Sequence, residues 1–339
     1  MKIYYDLNKI VSTFLVIILC VFITFRSGND FYDVNNYISM FNEVSSGTLA
    51  NAEFTFSLIS KISQFFGTDY YGVFLCYSLI SIFGKVYFLN RHIEYRWLGI
   101  ILYVFSYFVL YEFVQMRAAT GLGLFLIFVS LYIRGEKLLY CIIFLCLSIA
   151  FHYSMIVLLP SLLIVRFLAS PYNNRYALLG GVSALTTIVS IYLLINFSLK
   201  IPSVITLLNN PRLFSFIPER IFQGYFVLVG NMSPPSSKMI FSSFLSLIVS
   251  VLVFLKYIPN NRLHIFSALT VMLGSWVYLF LGSFGVVADR LAELCMIFII
   301  VVLDGLLRKK LVMGLFFYSI ILLIYSYNLV FRATYYSIF

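Results

Sequence analysis

The sequence predicts an all-α, polytopic integral membrane protein. Of its 339 residues, 62% are hydrophobic and only 11% are charged, and the mean hydropathy is +0.99. A chain of this composition would expose large apolar patches if it folded in water. Its repeated apolar runs, each of about 20 residues, instead match the roughly 30 Å hydrocarbon core of a bilayer. The runs are continuous and lack the alternation of transmembrane strands, so the spanning elements are predicted to be helices.

Polar breaks divide the chain into about eleven (10–12) predicted spans within a single membrane domain, residues 1–339. The first span follows Lys2 and Lys9 but lacks a small-residue cleavage site, so it is predicted to be a retained helix. Two longer stretches are predicted to be outer loops, residues 26–69 and 198–238. The spans are predicted near residues 10–25, 70–89, 97–111, 114–133, 138–151, 154–169, 176–197, 239–257, 264–283, 290–307 and 311–330.

The five cysteines all lie within apolar runs, without a Cys-x-x-Cys pair or a nearby histidine. Cysteines in such surroundings behave as small buried hydrophobic residues. No pair of aspartates has the spacing that a divalent ion would require. We therefore expect neither a metal nor a cofactor.

The charges predict the orientation. When the loops are assigned alternately to the two sides, one side carries fourteen Lys/Arg and four Asp/Glu. The chain has 23 Lys/Arg and 13 Asp/Glu in total, so the other side carries nine of each, and their charges cancel. The basic side and the N-terminus are therefore predicted to be cytoplasmic. The cations are spread over short loops, which indicates a lipid bilayer and not a nucleic acid as the partner. They are Lys2, Lys9, Lys85, Arg91, Arg96, Arg134, Lys137, Arg166, Arg175, Lys256, Arg262, Arg308, Lys309 and Lys310.

Three apolar hairpins start and end in these basic loops, so each must turn on the outer side. Every turn carries polar residues, which suggests that the chemistry faces outward. The hairpins are residues 97–133, turning between Glu112 and Arg117; residues 138–170, turning near His152; and residues 264–307, turning at Asp289 and Arg290.

The turn of the first hairpin contains "YEFVQMRAATGLG", residues 111–123. An arginine at the start of a helix opposes the macrodipole, and within the membrane it costs about 2.5–3.5 kcal/mol. An anionic partner would explain it, and the small residues that follow allow a helix or a lipid headgroup to approach closely. Two interpretations stay open. Arg117 either snorkels or pairs with Glu112, or its planar guanidinium binds a lipid phosphate or pyrophosphate.

His152, in the second hairpin, is one of only three histidines. A histidine changes its charge near neutral pH, so it could serve as a general base for a hydroxyl or donate to a phosphate oxygen. The alternative is a packing residue with satisfied hydrogen bonds.

The first outer loop begins with "SGNDFYDVNNYISMFNE", residues 27–43. Asp30, Asp33, Tyr37 and Phe41 place acids and aromatic rings at partly helical spacing, which suits binding of a carbohydrate. The alternative is an aspartate that caps an amphipathic helix at the interface.

The second outer loop carries Arg212 and Arg220 beside prolines that are typical of the first position of short helices. These cations could bind an anionic substrate. Solvated charges on interfacial helices are the ordinary alternative.

The order of these elements resembles the EpsG-like branch of the Wzy polysaccharide polymerases, membrane enzymes of O-antigen and capsule assembly. One departure is that the R-x(10)-G elements of some Wzy loops are missing, since Gln223 and Asn231 stand eleven positions after Arg212 and Arg220. The resemblance rests on Asp30 or Asp33 followed by Tyr37 and Phe41, on "QMRAA" at residues 115–119 and on "FHYS" at residues 151–154.

The resemblance implies an enzyme that joins undecaprenyl-pyrophosphate-linked oligosaccharide repeat units on the periplasmic side of a bacterial inner membrane. It also implies a flippase and a chain-length regulator as partners. The leaving pyrophosphate requires cations, for which Arg117 and Arg290 are the first candidates. The attacking hydroxyl requires a base, with His152 first and Asp33 or Asp289 next. The predicted substrate-binding residues are Asp30, Asp33, Tyr37, Gln115, Arg212, Arg220 and Asp289.

Two other functions fit the same cations. A lipid-linked oligosaccharide flippase would carry polar groups along the full depth of several spans and often shows internal repeats, whereas here such groups are sparse and no repeat is detected. An O-antigen ligase differs only in its acceptor, so the residues leave that alternative open.

Overall fold

The computed structural model describes residues 17–26, 32–47, 53–168, 181, 185, 188, 237–259, 261–281 and 285–336. Within these ranges every regular element is helical, as predicted. The helices up to residue 133 are α1 (residues 17–24), α2 (Tyr32–Ser45), α3 (Phe54–Phe65), α4 (Asp69–His92), α5 (Arg96–Tyr103), a π-helical segment (Val104–Val114) and α6 (Met116–Ile133).

The remaining helices follow the same chain order. They are α7 (Leu138–Phe151), a 3₁₀ turn (Tyr153–Leu158), α8 (Leu159–Leu168), α9 (Ser237–Phe254), α10 (Arg262–Leu281), α11 (Gly285–Met296), α12 (Ile299–Lys309) and α13 (Leu311–Tyr336).

Three described helices are long and apolar enough to cross a membrane: α4, the continuous α5 and π-helical segment, and α6. The other apolar helices in the described ranges have apolar stretches of only 10–17 residues. The total of about eleven spans therefore stays a prediction. Two predicted spans differ from the structure. The one at residues 154–169 begins with a 3₁₀ turn, and the one at residues 290–307 is interrupted between α11 and α12.

The chain divides into two compact units, residues 1–156 with 315–339, and residues 157–314. In the first unit, α6 is buried along most of its length and packs against α4 and α7. Small residues allow this packing: a Cβ atom added to Gly123 would lie 2.8 Å from the Ser81 carbonyl oxygen of α4. The helix ends in a tight turn at Gly135, whose φ of +70° suits a residue without a side chain.

Where the structure describes it, at residues 26, 32–47 and 53–69, the first predicted outer loop (residues 26–69) is largely helical. It forms α2 and α3, and α3 runs antiparallel to the beginning of α4. Phe56 lies beside Tyr77, about two turns into α4, with ring centroids 6.2 Å apart. The start of α3 therefore lies about two turns along α4 from the first residue of that helix. The second predicted loop lies outside the described residues except for its last two positions, where α9 begins.

The second unit is built around α10, which packs against α8, α9, α11 and α12. Asn261 caps the start of α10, because its side-chain oxygen accepts a 2.9 Å hydrogen bond from the His264 backbone N–H. Asp304 and Arg308 form a 2.6 Å ion pair one turn apart on α12. The carboxylate of this pair is almost fully buried.

Candidate active site

Arg117, in the first turn of α6, forms an ion pair with Glu53. Glu53 immediately precedes α3, so the antiparallel packing of α3 on α4 carries this carboxylate to the start of α6. The alternative prediction that Arg117 pairs with Glu112 is wrong, because the Glu112 carboxylate binds Lys85 instead. The anionic partner that a cation at this helix start requires is therefore present within the chain.

His152 joins the same carboxylate from a third element. It ends α7 with an extended backbone, and its Nδ1 lies 3.3 Å from Glu53 Oε1. A proton on Nδ1 donated to the carboxylate leaves Nε2 as the nitrogen that can accept a proton. The side chains of His152 and Arg117 are 26% and 22% exposed, so protein does not fully enclose either of them.

Tyr37 of α2 completes this group of residues, which we call the Glu53 cluster: Glu53, Arg117, His152 and Tyr37. The Arg117 guanidinium lies 5.5 Å from the centroid of the Tyr37 ring, a cation–π distance. Tyr37 and Phe41 are buried in the core of the first unit, so protein encloses both rings. Tyr37 therefore supports the guanidinium, and contact of its ring with a sugar stays a prediction.

The carboxyl group of Glu53 is held in its charged form. Burial by itself would raise the pKa of Glu53. The hydrogen bond with His152 and the positive charge of Arg117 lower this pKa by a larger amount, so it lies below the ordinary value of 4.5. A carboxylate that stays ionised can orient His152 and stabilise its protonated form.

A second group of polar residues lies inside the first unit, and we call it the Glu112 cluster: Glu112, Lys85, Ser81 and Tyr103. Glu112 Oε1 accepts hydrogen bonds from Lys85 Nζ at 2.6 Å, Tyr103 OH at 2.6 Å and Ser81 Oγ at 2.9 Å. Glu112 and Lys85 are only 1% and 3% exposed. Lys85 was predicted among the cytoplasmic cations, and that prediction is wrong, because a buried partner neutralises it.

Comparison with known proteins places the chain in a family. The model of the EpsG family matches residues 9–339, nearly the whole length. The chain belongs to the EpsG family. Membership of this family indicates a multi-pass membrane protein of the polysaccharide polymerase type. No curated protein and no solved structure matches the chain.

The three elements on which the resemblance to the EpsG family rested meet at the Glu53 cluster, where the first of them supplies Tyr37. "QMRAA" opens α6 and supplies Arg117, and "FHYS" follows the last turn of α7 and supplies His152. Gly121 lets these elements approach, because a Cβ atom added there would lie 3.2 Å from the His152 Cβ. The sequence therefore identified three of the four cluster members, Arg117, His152 and Tyr37, but not that Arg117 and His152 share a carboxylate.

The other predicted site residues have different surroundings. Asp33 lies in the first turn of α2, and its charge acts on Tyr37. Gln115 is buried at the junction between the π-helical segment and α6. Asp289 and Arg290 lie on α11 of the second unit. The predicted roles of these four residues stay predictions. Asp30, Arg212 and Arg220 lie outside the described residues, so their predicted roles also stay predictions.

Sequence reasoning missed Glu53, which no local pattern distinguishes from the other acids of the first loop. It also missed Lys85 as a buried group, although a lysine inside an apolar span is a signal for a functional or paired residue. Among the described residues, no three His, Cys, Asp or Glu side chains are grouped so that they could hold a metal ion.

Proposed function

We propose that the protein is a polysaccharide polymerase that joins undecaprenyl-pyrophosphate-linked oligosaccharide repeat units on the outer face of a bacterial inner membrane. The product would be an O-antigen or a capsular or extracellular polysaccharide. The observation that carries the proposal is the Glu53 cluster, in which one carboxylate holds both a histidine and an arginine, and both are partly exposed.

The histidine fits the role of general base. Nε2 of His152 takes the proton from a hydroxyl of the acceptor sugar while the oxygen attacks the anomeric carbon of the donor. Glu53 keeps the imidazole ring in the required orientation and stabilises the positive charge that it acquires. The proton leaves to solvent before the next cycle.

The arginine fits the role of a cation for the leaving group. As the bond between the anomeric carbon and the pyrophosphate oxygen breaks, the electron pair stays on the pyrophosphate, and a nearby guanidinium stabilises this charge. Arg117 Nε is buried and donates to no atom among the described residues. An unused N–H on a partly exposed guanidinium supports an anionic ligand at this position.

Deletion of the gene tests the reaction. A cell without its polymerase still flips and transfers single repeat units, so gels of extracted glycan should show one-unit products in place of a ladder. Absence of surface units with only single repeat units on the lipid carrier would favour a flippase, and absence of surface units with long chains retained on the carrier would favour a ligase. An unchanged ladder would remove the protein from the pathway.

The face of the membrane needs a separate test. A reporter inserted after Ser46, at the end of α2, should be external, and one after Lys137, at the start of α7, should be cytoplasmic. An external reporter at Lys137 would place the Glu53 cluster on the wrong face for an undecaprenyl-linked substrate that has already been flipped.

A further inference from the structure

The position of Arg117 depends on an interruption of the helix just before it. The π-helical segment ends at Val114, and Gln115 leaves the helical conformation with φ of −107° and ψ of 51°. Its N–H still donates to the Leu110 carbonyl at 2.9 Å, while its own carbonyl accepts from Ala119 N–H at 2.8 Å. The direction in which α6 leaves this junction therefore sets where the guanidinium lies.

The Glu112 cluster holds both sides of the junction. Glu112 belongs to the last turn of the π-helical segment, and its carboxylate is bound by Lys85 of α4 and Tyr103 of α5. The same Lys85 Nζ also donates to the Ala119 carbonyl of α6 at 3.0 Å. One ammonium group thus connects the end of the π-helical segment with the first turn of α6.

Arg26, just after α1, binds the junction from another direction. Its Nη1 donates to the Glu112 carbonyl at 2.5 Å, and its Nη2 lies 3.0 Å from the sulfur of Met116. Its guanidinium stacks over the Phe74 ring of α4 at 4.2 Å. The residue before Arg117 is thereby held against α4 as well.

Stability alone does not explain such a cluster. A buried ion pair can often be replaced by well-packed apolar residues without loss of stability, because the desolvation of two charges offsets their attraction. π-Helical segments are rare, and they occur frequently at functional sites. A charged cluster that fixes a π-helical junction is therefore explained better by the geometry that it imposes.

We propose that the Lys85–Glu112 pair, with Tyr103, is a positioning device that sets the start of α6 and so places Arg117 beside Glu53 and the leaving group. This inference rests on the proposed function, since it assigns these residues to the same reaction. They touch no substrate and act only through Arg117.

The test uses purified full-length protein in lipid nanodiscs and a synthetic lipid-linked repeat unit as donor and acceptor. The variant combines Lys85→Met with Glu112→Leu, which removes both charges and keeps apolar volume. The melting temperature should equal or exceed that of the wild type. Because Arg117 acts mainly on the leaving group, kcat per folded molecule should fall about tenfold to a hundredfold, with a donor KM within about twofold of the wild type. A merely structural pair would lower the melting temperature and the folded fraction but leave kcat unchanged.

The second unit offers a matched control. Arg308→Met with Asp304→Leu removes another ion pair with one buried partner, and it should leave kcat unchanged. An equal loss of kcat in this control would mean that removal of any such pair affects turnover, and it would overturn the positioning role.

A milder variant covers the case in which the double substitution does not fold. Tyr103→Phe removes one hydrogen bond to Glu112 and no charge. It should lower the melting temperature less than Lys85→Met does, and it should lower kcat per folded molecule severalfold. Wild-type kcat in folded Tyr103→Phe protein would overturn the inference. If Arg117→Ala itself retains wild-type kcat, the proposed role of the site fails; if Arg117→Ala is inactive and the cluster variants are fully active, only the positioning role fails.

Discussion

The Glu53 and Glu112 clusters contain the same chemistry in two different settings. Each has one glutamate that binds a cation and at least one further hydrogen-bonding side chain. Protein donors surround Glu112, and its cation Lys85 is 3% exposed. Arg117 is 22% exposed, and its Nε has no partner among the residues that the structure describes. The enclosed cluster can only hold helices together, while the open one can also bind an anion and exchange a proton. Exposure, and not residue type, separates the two roles.

The largest expected effect is on the enclosed cluster. Lys85→Met leaves the Glu112 carboxylate buried without its cation, so the free energy of unfolding should fall by about 3–5 kcal/mol. Titration with a denaturing detergent, followed by tryptophan fluorescence, measures this difference. A loss below about 1 kcal/mol would mean that water or another group reaches Glu112, and the contrast between the clusters would disappear.

In the open cluster the main effect should be on rate. Arg117→Ala should slow chain extension about a hundredfold or more, equivalent to about 2.7–4 kcal/mol, because it removes a charged contact with the leaving group. Arg117→Lys should recover only part of the rate, since an ammonium lacks the planar pair of donors. Ladder length at matched protein level is the measurement. Wild-type ladders from Arg117→Ala would reduce the ion pair with Glu53 to a structural contact.

Acid should weaken the open cluster through Glu53. Its pKa in the folded protein lies below 4.5, so its contribution to stability is present above that pH and is lost as the pH falls through the folded pKa. The melting temperature of the wild type should therefore exceed that of Glu53→Gln near pH 7, and the difference should shrink below about pH 4.5. A difference that stays constant from about pH 7 to about pH 3.5 would show that the charge of Glu53 does not stabilise the fold.

The smallest effect is expected at an ion pair outside both clusters. Arg134 and Glu136 lie 2.8 Å apart, with both side chains more than a third exposed. Arg134→Ala should change the free energy of unfolding by about 1 kcal/mol or less, because solvent screens the pair. The same detergent titration measures it, and an effect as large as that of Lys85→Met would mean that exposure does not govern the strength of these pairs.

Much of the candidate site could be found in the sequence because its members stand at helix ends within short motifs. Arg117 opens α6 and His152 follows α7, and each was visible as a polar residue in an apolar hairpin. Their common partner was not visible, because Glu53 is 64 residues from Arg117 and 99 residues from His152. No local periodicity reports a contact over such a distance.

The placement of Lys85 failed for a related reason. Assigning charges to sides of a membrane assumes that each charge lies at a helix end, where water or lipid headgroups solvate it. Lys85 lies within α4 and is solvated by protein instead, through Glu112, Ser81 and the Ala119 carbonyl. Only the packing of α4, the π-helical segment and α6 brings these acceptors together.

The sequence by itself determined that this is an all-α protein of the lipid bilayer, and it identified polar residues that begin or end its helices. These follow from composition and from the period of apolar residues, which are local properties. The tertiary structure alone decided which acid neutralises which cation, since ion pairs depend on distances of a few ångströms between segments far apart in the chain. It also decided which cluster stays reachable from outside, because burial is a property of how α3, α4, α6 and α7 pack and not of any residue within them.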